Sequence, residues 1–249
     1  MSRSIVEELR AAGCVFAEDE ARLLIEEADT PARLTEMVKR RVAGLPLEHV
    51  LGWAEFCGLR VKVEPAVFVP RRRTEFLVHQ AIRLTPPRAV VVDLCCGSGA
   101  LGVALLAAVP EVELYSSDVD PAAVRCARLN VPRVYCGDLF DPLPAELRGR
   151  VDVVLANVPY VPSDAVALLP SEAREHEPRT ALDGGPDGLD LLRRVAADAA
   201  TWLTPGGHVL SETSEDQAPV AVKALARNGL RATTRTSDEA TIVIGTRPR

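Results

Sequence analysis

A chain of 249 residues, 47% hydrophobic and 26% charged, has the composition of a globular protein with room for one large domain, or a domain and an appendage. Its formal net charge of −6 argues against a protein built to hold long nucleic acid, and its apolar runs, such as 101–109, fall far short of the roughly 20 residues that cross a bilayer. Six cysteines without a Cys-x-x-Cys pair or a regular spacing argue against a disulfide framework or a zinc site, so buried free thiols and no metal are expected. Acids among the apolar residues of the first stretch, and no apolar signal core, lead to the expectation of a cytoplasmic protein.

In chain order, Ile5, Val6, Leu9, Leu23, Leu24, Leu34 and Val38 recur at helical spacing, predicting two or three helices over 3–43. Thr30 is placed to cap the last of them, with Pro31 at its first position. Such a bundle reads as a docking or packing appendage, here residues 1–44. Residues 45–70 change character: Val50 to Cys57 and Leu59 to Val63 flank Gly58 as the arms of a β-hairpin linker. An extended piece ending in Arg71-Arg72-Arg73 then runs into a helix from Thr74 to Leu84. The three arginines suit an acidic partner or a solvated face.

From Arg88 onward, apolar strands alternate with helices at the spacing of a parallel sheet. Strands are predicted at 89–94, 112–117, 134–136, 151–156 and 208–211, with helices at 100–108, 121–130, 187–203 and 217–228. Gly206-Gly207 reads as a turn before the fifth strand, and 230–235 with 240–245 as a closing antiparallel pair. Residues 161–188 are irregular, and a loop of that length in a compact domain is usually functional or disordered.

The chemistry gathers at the strand ends, where open α/β sheets bind their ligands. Asp93 closes the first strand, and Cys95-Cys96-Gly97-Ser98-Gly99 leads into a helix whose N-terminus can face a ligand. Asp118, ending the second strand, is placed to accept hydrogen bonds from ribose hydroxyls. Asp138, after the third, is placed to accept from an exocyclic adenine amine while Leu139 and Phe140 sandwich the ring. This pattern serves NAD and S-adenosylmethionine alike; an ordinary tight turn at the glycines and a simple cap by Asp138 are the structural alternatives.

The fourth strand ends in Asn157-Val158-Pro159-Tyr160. An amide nitrogen is a poor nucleophile, so a site that methylates it must orient it and hold both hydrogens. The Asn157 side-chain oxygen and the Val158 carbonyl suit that task. Pro159 keeps Val158 extended, and Tyr160 offers a face to a planar group. Taken alone, the same four residues also suit a loop with a turn-forming Asn and a half-buried Tyr.

These residues carry a resemblance. The chain is similar to the HemK/PrmC family, S-adenosylmethionine-dependent methyltransferases that modify glutamine side-chain amides in peptide-chain release factors. The family motif is Asn-Pro-Pro-Tyr, against Asn157-Val158-Pro159-Tyr160 here. Further likeness runs through Leu45-Pro46-Leu47, Leu51-Gly52, Glu55-Phe56, Gly58-Leu59, Val69-Pro70-Arg71 and Thr74-Glu75. It continues through Asp93-Leu94, Gly97-Ser98-Gly99 and Asp118. It ends with Glu177-Pro178-Arg179, Ala181-Leu182-Asp183-Gly184-Gly185 and Asp187-Gly188-Leu189.

The resemblance implies a seven-stranded, Rossmann-like class I methyltransferase domain over 71–249, behind the helical segment and the hairpin linker. It implies cofactor binding by Asp93, Cys95, Gly97, Gly99, Asp118, Asp138, Leu139 and Asn157, and an acceptor held by Asn157, Val158, Pro159 and Tyr160. The expected substrate is a protein glutamine, in a release factor or a related protein. The chain departs from the family pattern at Val158, at Cys95-Cys96, at Arg72-Arg73 where the family has Pro-Glu, and at Ser211-Glu212-Thr213. These changes leave room for three other readings: a small-molecule amide, amine or guanidinium as acceptor, adenine in nucleic acid, or a non-catalytic cofactor-binding module.

Overall fold

The computed structural model describes residues 2–249, so only Met1 of the helical segment lies outside it. Three helices open the chain: α1 (Ser2–Ala11), α2 (Ala17–Glu27) and α3 (Pro31–Val42). The Thr30 hydroxyl caps α3 by accepting the Arg33 N–H at 3.2 Å, with Pro31 just inside. Leu9, Leu24, Leu34 and Met37 form their common core, together with Val50 and Leu51.

The linker differs from the expected pair of long arms. Leu47–Leu51 is a short helix, α4, which Gly52 ends in the left-handed region at φ +84°. The hairpin proper is β1 (Trp53–Phe56) and β2 (Leu59–Lys62), paired antiparallel. Cys57 and Gly58 both have positive φ, +51° and +72°, as a two-residue turn matched to strand twist requires. A 3-10 turn at Arg72–Thr74 then feeds α5 (Glu75–Leu84).

The rest is one seven-stranded sheet with helices on both faces. Its strands are β3 (Val90–Leu94), β4 (Glu113–Asp118), β5 (Val134–Cys136), β6 (Val151–Ala156), β7 (Leu203–Thr213), β8 (Arg231–Thr236) and β9 (Thr241–Thr246). They lie in the order β5-β4-β3-β6-β7-β9-β8, the first five parallel and β9 antiparallel to both its neighbours. The helices between them are α6 (Ala100–Ala108), α7 (Pro121–Ala127), α8 (Ser171–His176), α9 (Asp190–Trp202) and α10 (Ala218–Arg227). Side-chain alternation divides the core. Val90, Val92, Leu94 and Val154 face α9 and α10, while Val91, Val153 and Leu155 face α5 and α6.

Three boundaries differ from expectation. Gly206-Gly207 is not a turn but part of the 11-residue strand β7. A Cβ on Gly207 would come 2.9 Å from the Val151 carbonyl, so glycine lets β7 lie against β6 at the register shift there. Helix α7 stops at Ala127, three residues early. Asn130 beyond it accepts the Lys62 N–H at 3.0 Å and donates to the Lys62 and Ser98 carbonyls at 2.8 and 2.9 Å, tying the hairpin to the glycine loop. The segment 161–188 is built rather than irregular, containing α8, two 3-10 turns and a bridge from Val161 to Asp183.

Candidate functional site

The strand order switches between β3 and β6, whose carboxyl ends diverge into opposite loops, and a cavity of about 420 Å³ opens there. One wall comes from the ends of β3, β4 and β5. The other comes from the end of β6, the 161–188 segment, the stretch 67–74 and α4.

On the first wall the backbone turns at Cys95 (φ +53°) and Gly97 (φ +56°) into the N-terminus of α6. Asp118 holds this loop: its Oδ2 accepts the Gly97 N–H and its Oδ1 the Asp120 N–H, both at 2.9 Å. Burial raises its pKa above the ordinary value for an aspartate. Asp138 and Leu139 also line the cavity, and Arg194 donates to Asp138 at 2.5 Å, leaving the other carboxylate oxygen for a ligand. Phe140 does not join them. It is buried and stacks on Trp202 at 5.2 Å, whereas Leu139 and the exposed Val119 line the cavity and are apolar groups available to a ring.

Asp93 and Gly99 stand behind this wall rather than in it. Asp93 is 1% exposed and neither carboxylate oxygen has a hydrogen-bond partner among the described residues. Burial, aided by the charge of Asp118, pushes its pKa up to about 7. A Cβ on Gly99 would meet Val131 at 3.2 Å, so its role is close packing of α6 against α7. The thiols of Cys95 and Cys96 have pKa values raised by burial, which makes them packing groups rather than nucleophiles.

The second wall is assembled from distant parts of the chain. Asn157 is half-buried, lines the cavity, and its side chain has no hydrogen bond among the described residues. Tyr160 is locked. Its hydroxyl donates to Glu212 Oε1 at 2.6 Å and accepts from Arg73 Nη2 at 2.9 Å. Glu212, 2% exposed, also accepts from Arg73 Nε at 2.9 Å and Thr74 Oγ1 at 2.5 Å. Burial and the Glu212 charge push the phenol pKa up, so Tyr160 offers a fixed ring face and not a base.

Two segments quoted for the resemblance meet at the next layer. Arg71 pairs with the buried Glu177 at 2.6 Å, and Glu177 also accepts the Val69 N–H at 3.3 Å. The 161–188 segment is seated on the Tyr160 backbone by glycines. A Cβ at Gly184 would lie 2.6 Å from the Pro159 carbonyl, and one at Gly188 (φ +76°) 2.2 Å from that of Tyr160. Gln217 bridges both sides, donating to the Tyr160 and Asp187 carbonyls at 2.9 and 2.8 Å. The N-terminal helices hold the same segment from outside: the buried Arg41 binds Glu20 and Glu172, each at 2.6 Å.

Of the residues expected from sequence, Cys95, Gly97, Asp118, Asp138, Leu139 and Asn157 to Tyr160 share this cavity. Arg73, Glu212, Arg71 and Glu177 were not anticipated as site residues. Glu212 had a signal: an acid closing an apolar strand, the same cue that singles out Asp93 and Asp118.

The donor set suits the implied cofactor. Carboxylates at strand ends accept hydroxyl and amine hydrogens, loop amides face a helix N-terminus, and Leu139 with Val119 flanks a ring. Comparison with known proteins agrees. The Methyltransferase small domain family model matches residues 59–169. The release factor glutamine methyltransferase of Geobacter sulfurreducens is 38% identical over 199 residues, covering 78% of this chain and 69% of that protein. The 4-amino-L-phenylalanine/4-methylamino-L-phenylalanine methyltransferase of Streptomyces pristinaespiralis is also 38% identical, over 193 residues, 73% of this chain and 65% of its own length. Among solved structures, a Pyrococcus furiosus methyltransferase superposes with a TM-score of 0.58 at 16% identity, over 77% of this chain and 90% of that one, which speaks for the fold alone. The chain belongs to the HemK/PrmC family of release factor glutamine methyltransferases and is an S-adenosylmethionine-dependent N-methyltransferase.

Proposed function

We propose that this enzyme methylates the side-chain amide nitrogen of a glutamine in a protein, the expected protein being a peptide-chain release factor. The observation that carries this is the uncommitted Asn157 amide, half-buried at the junction of the two walls. Its Oδ1 and the Val158 carbonyl would accept the two N–H groups of an incoming amide. That grip fixes the orientation in which the nitrogen meets the methyl group. The ring of Tyr160, held by Arg73 and Glu212, would lie against the planar group. S-adenosylmethionine, when bound against Gly97, Asp118 and Asp138, supplies the electrophilic methyl group.

The Geobacter relative supports a release factor as substrate, which would make the enzyme cytoplasmic. The Streptomyces pristinaespiralis relative favours a second reading, in which the acceptor is the amine of a small aromatic amino acid. Two departures on the acceptor wall, Val158 and Arg73, keep that reading in play. No helix among the described residues is long and apolar enough to cross a membrane.

The test offers radiolabelled S-adenosylmethionine with a purified release factor, 4-amino-L-phenylalanine and nucleic acid in separate reactions. Label on the release factor, mapped to a glutamine, is the expected result. Label on 4-amino-L-phenylalanine alone would establish the second reading, and label on nucleic acid alone would refute both.

A further inference from the structure

Three arginines in and behind the acceptor wall are matched to carboxylates. Arg41 is bound by Glu20 and Glu172, Arg71 by Glu177 at 2.6 Å, and Arg73 by Glu212 at 2.9 Å. One carboxylate on the wall is left over. Glu48, on α4, lines the same cavity and is half-buried, and no side chain among the described residues donates to it. Only its own backbone amide offers it a hydrogen bond.

A carboxylate held partly out of water without a counter-charge is unfavourable. The ligand that relieves it best brings a positive charge, because charge-assisted hydrogen bonds are roughly twice as strong as neutral ones. Burial raises the pKa of Glu48 even though the charges of Arg71 and Arg41 act to lower it. The Arg71 guanidinium beside it is committed to Glu177.

We propose that Glu48 is a specificity-determining residue of the acceptor site, receiving an ammonium or guanidinium group that the acceptor carries beside its methylated nitrogen. This rests on the reading of the cavity as an N-methylation site. In a protein acceptor the cation would be a lysine or arginine flanking the glutamine. In an amino-acid acceptor it would be the α-ammonium. Either way the linker takes part in choosing the substrate, which gives α4 a task beyond packing.

The test measures acceptor binding to the full-length enzyme saturated with S-adenosylhomocysteine, by calorimetry, using two matched pairs of probes. The first pair is the capped peptide Lys-Ala-Gln-Ala-Lys and its norleucine counterpart. The second is 4-amino-L-phenylalanine and its Nα-acetyl derivative. The wild-type enzyme should bind the cationic member of one pair about tenfold more tightly, the scale of one charge-assisted contact. Glu48→Gln should reduce that preference to about twofold or less, and Glu48→Asp should keep part of it. Affinity for S-adenosylhomocysteine should stay constant throughout. Preference within the peptide pair identifies a basic side chain as the source of the charge, and within the second pair the α-ammonium. No preference in either pair, or one that survives in Glu48→Gln, overturns the proposal. If neither the release factor nor 4-amino-L-phenylalanine is methylated while the Glu48-dependent preference appears, the two acceptors proposed above fall and the assignment of Glu48 stands.

Discussion

The two walls of the cavity are built on different principles. The cofactor wall is local: Cys95, Gly97, Asp118, Asp138 and Leu139 each lie at the end of a strand and just before the next connection. Any sequence that makes this sheet brings them together, because parallel strands place their carboxyl ends side by side. The acceptor wall is a composite. Tyr160 is held by residues 73 and 212, its backbone is covered by residues 184 and 188, and Glu177 is held by Arg71. On the proposed assignment, a fold that needs only its topology to build the methyl-donor wall needs several long-range fits to build the acceptor wall. The acceptor wall is therefore where related enzymes can change substrate while keeping the chemistry.

Asn157→Ala separates the walls most sharply. It should lower kcat/KM by about 10² to 10³, the loss typical of one hydrogen-bonding group in the transition state, with cofactor affinity unchanged. Steady-state kinetics and calorimetry with S-adenosylhomocysteine check both halves. Equal losses of turnover and cofactor affinity would mean that the walls are not separable.

Gly188→Ala attacks the seat of the 161–188 segment. The added methyl would clash with the Tyr160 carbonyl at a left-handed φ, so a loss of about 1 to 3 kcal/mol in local stability is expected. Hydrogen exchange should show faster opening of 161–188, and turnover should fall while cofactor affinity holds. Protection equal to wild type would show that the segment does not depend on this glycine.

Asp93 tests the local wall. Its pKa, about 7 in the folded protein, lies above the ordinary value of 3.8, so the folded state binds its proton more tightly than the unfolded chain. Stability from this group is greatest below pH 4, declines as pH rises through 4 to 7, and levels off above that. Asp93→Asn should remove this decline and raise stability at pH 8 by about 1 to 3 kcal/mol, as expected when a buried unpaired charge is deleted. Urea denaturation at pH 5 and pH 8 measures it. An equal effect at both values would show that Asp93 is not the titrating group.

Val158→Pro is the mildest change. The backbone of Val158 already precedes a proline, and a second ring would stiffen Asn157 further. A gain of roughly two- to fivefold in kcat/KM on a release factor is expected from reduced backbone freedom, the ring replacing a valine of similar volume at a buried position. A loss there, with a gain on 4-amino-L-phenylalanine, would mark Val158 as a device of substrate choice.

The residues themselves indicate how far the sequence can be read. Asp93, Asp118, Asp138 and the 97–99 glycines were visible because apolar β-branched runs locate strand ends, and Asn157-Val158-Pro159-Tyr160 because a polar break in such a run stands out. Phe140 was expected beside the ring because its place in the turn after the third strand left open which way it would point; in the structure it packs against Trp202 and does not line the cavity. Gly206-Gly207 was misread as a turn because the same dipeptide also serves where two strands approach closely.

The order of helices and strands, the residues at the strand ends and the Asn157-Val158-Pro159-Tyr160 motif are written in the sequence, because each depends on neighbours within a few residues and on hydrophobic periodicity. The tertiary structure decided which of three consecutive arginines holds Tyr160, that Asp93 is buried behind the cavity rather than lining it, and that α4 places Glu48 in the cavity wall. Those outcomes turn on which charges end up paired when segments more than a hundred residues apart are packed together, as for Arg73 with Glu212 and Arg71 with Glu177. No local pattern encodes such a pairing, since its energy exists only once water has been excluded from between the partners.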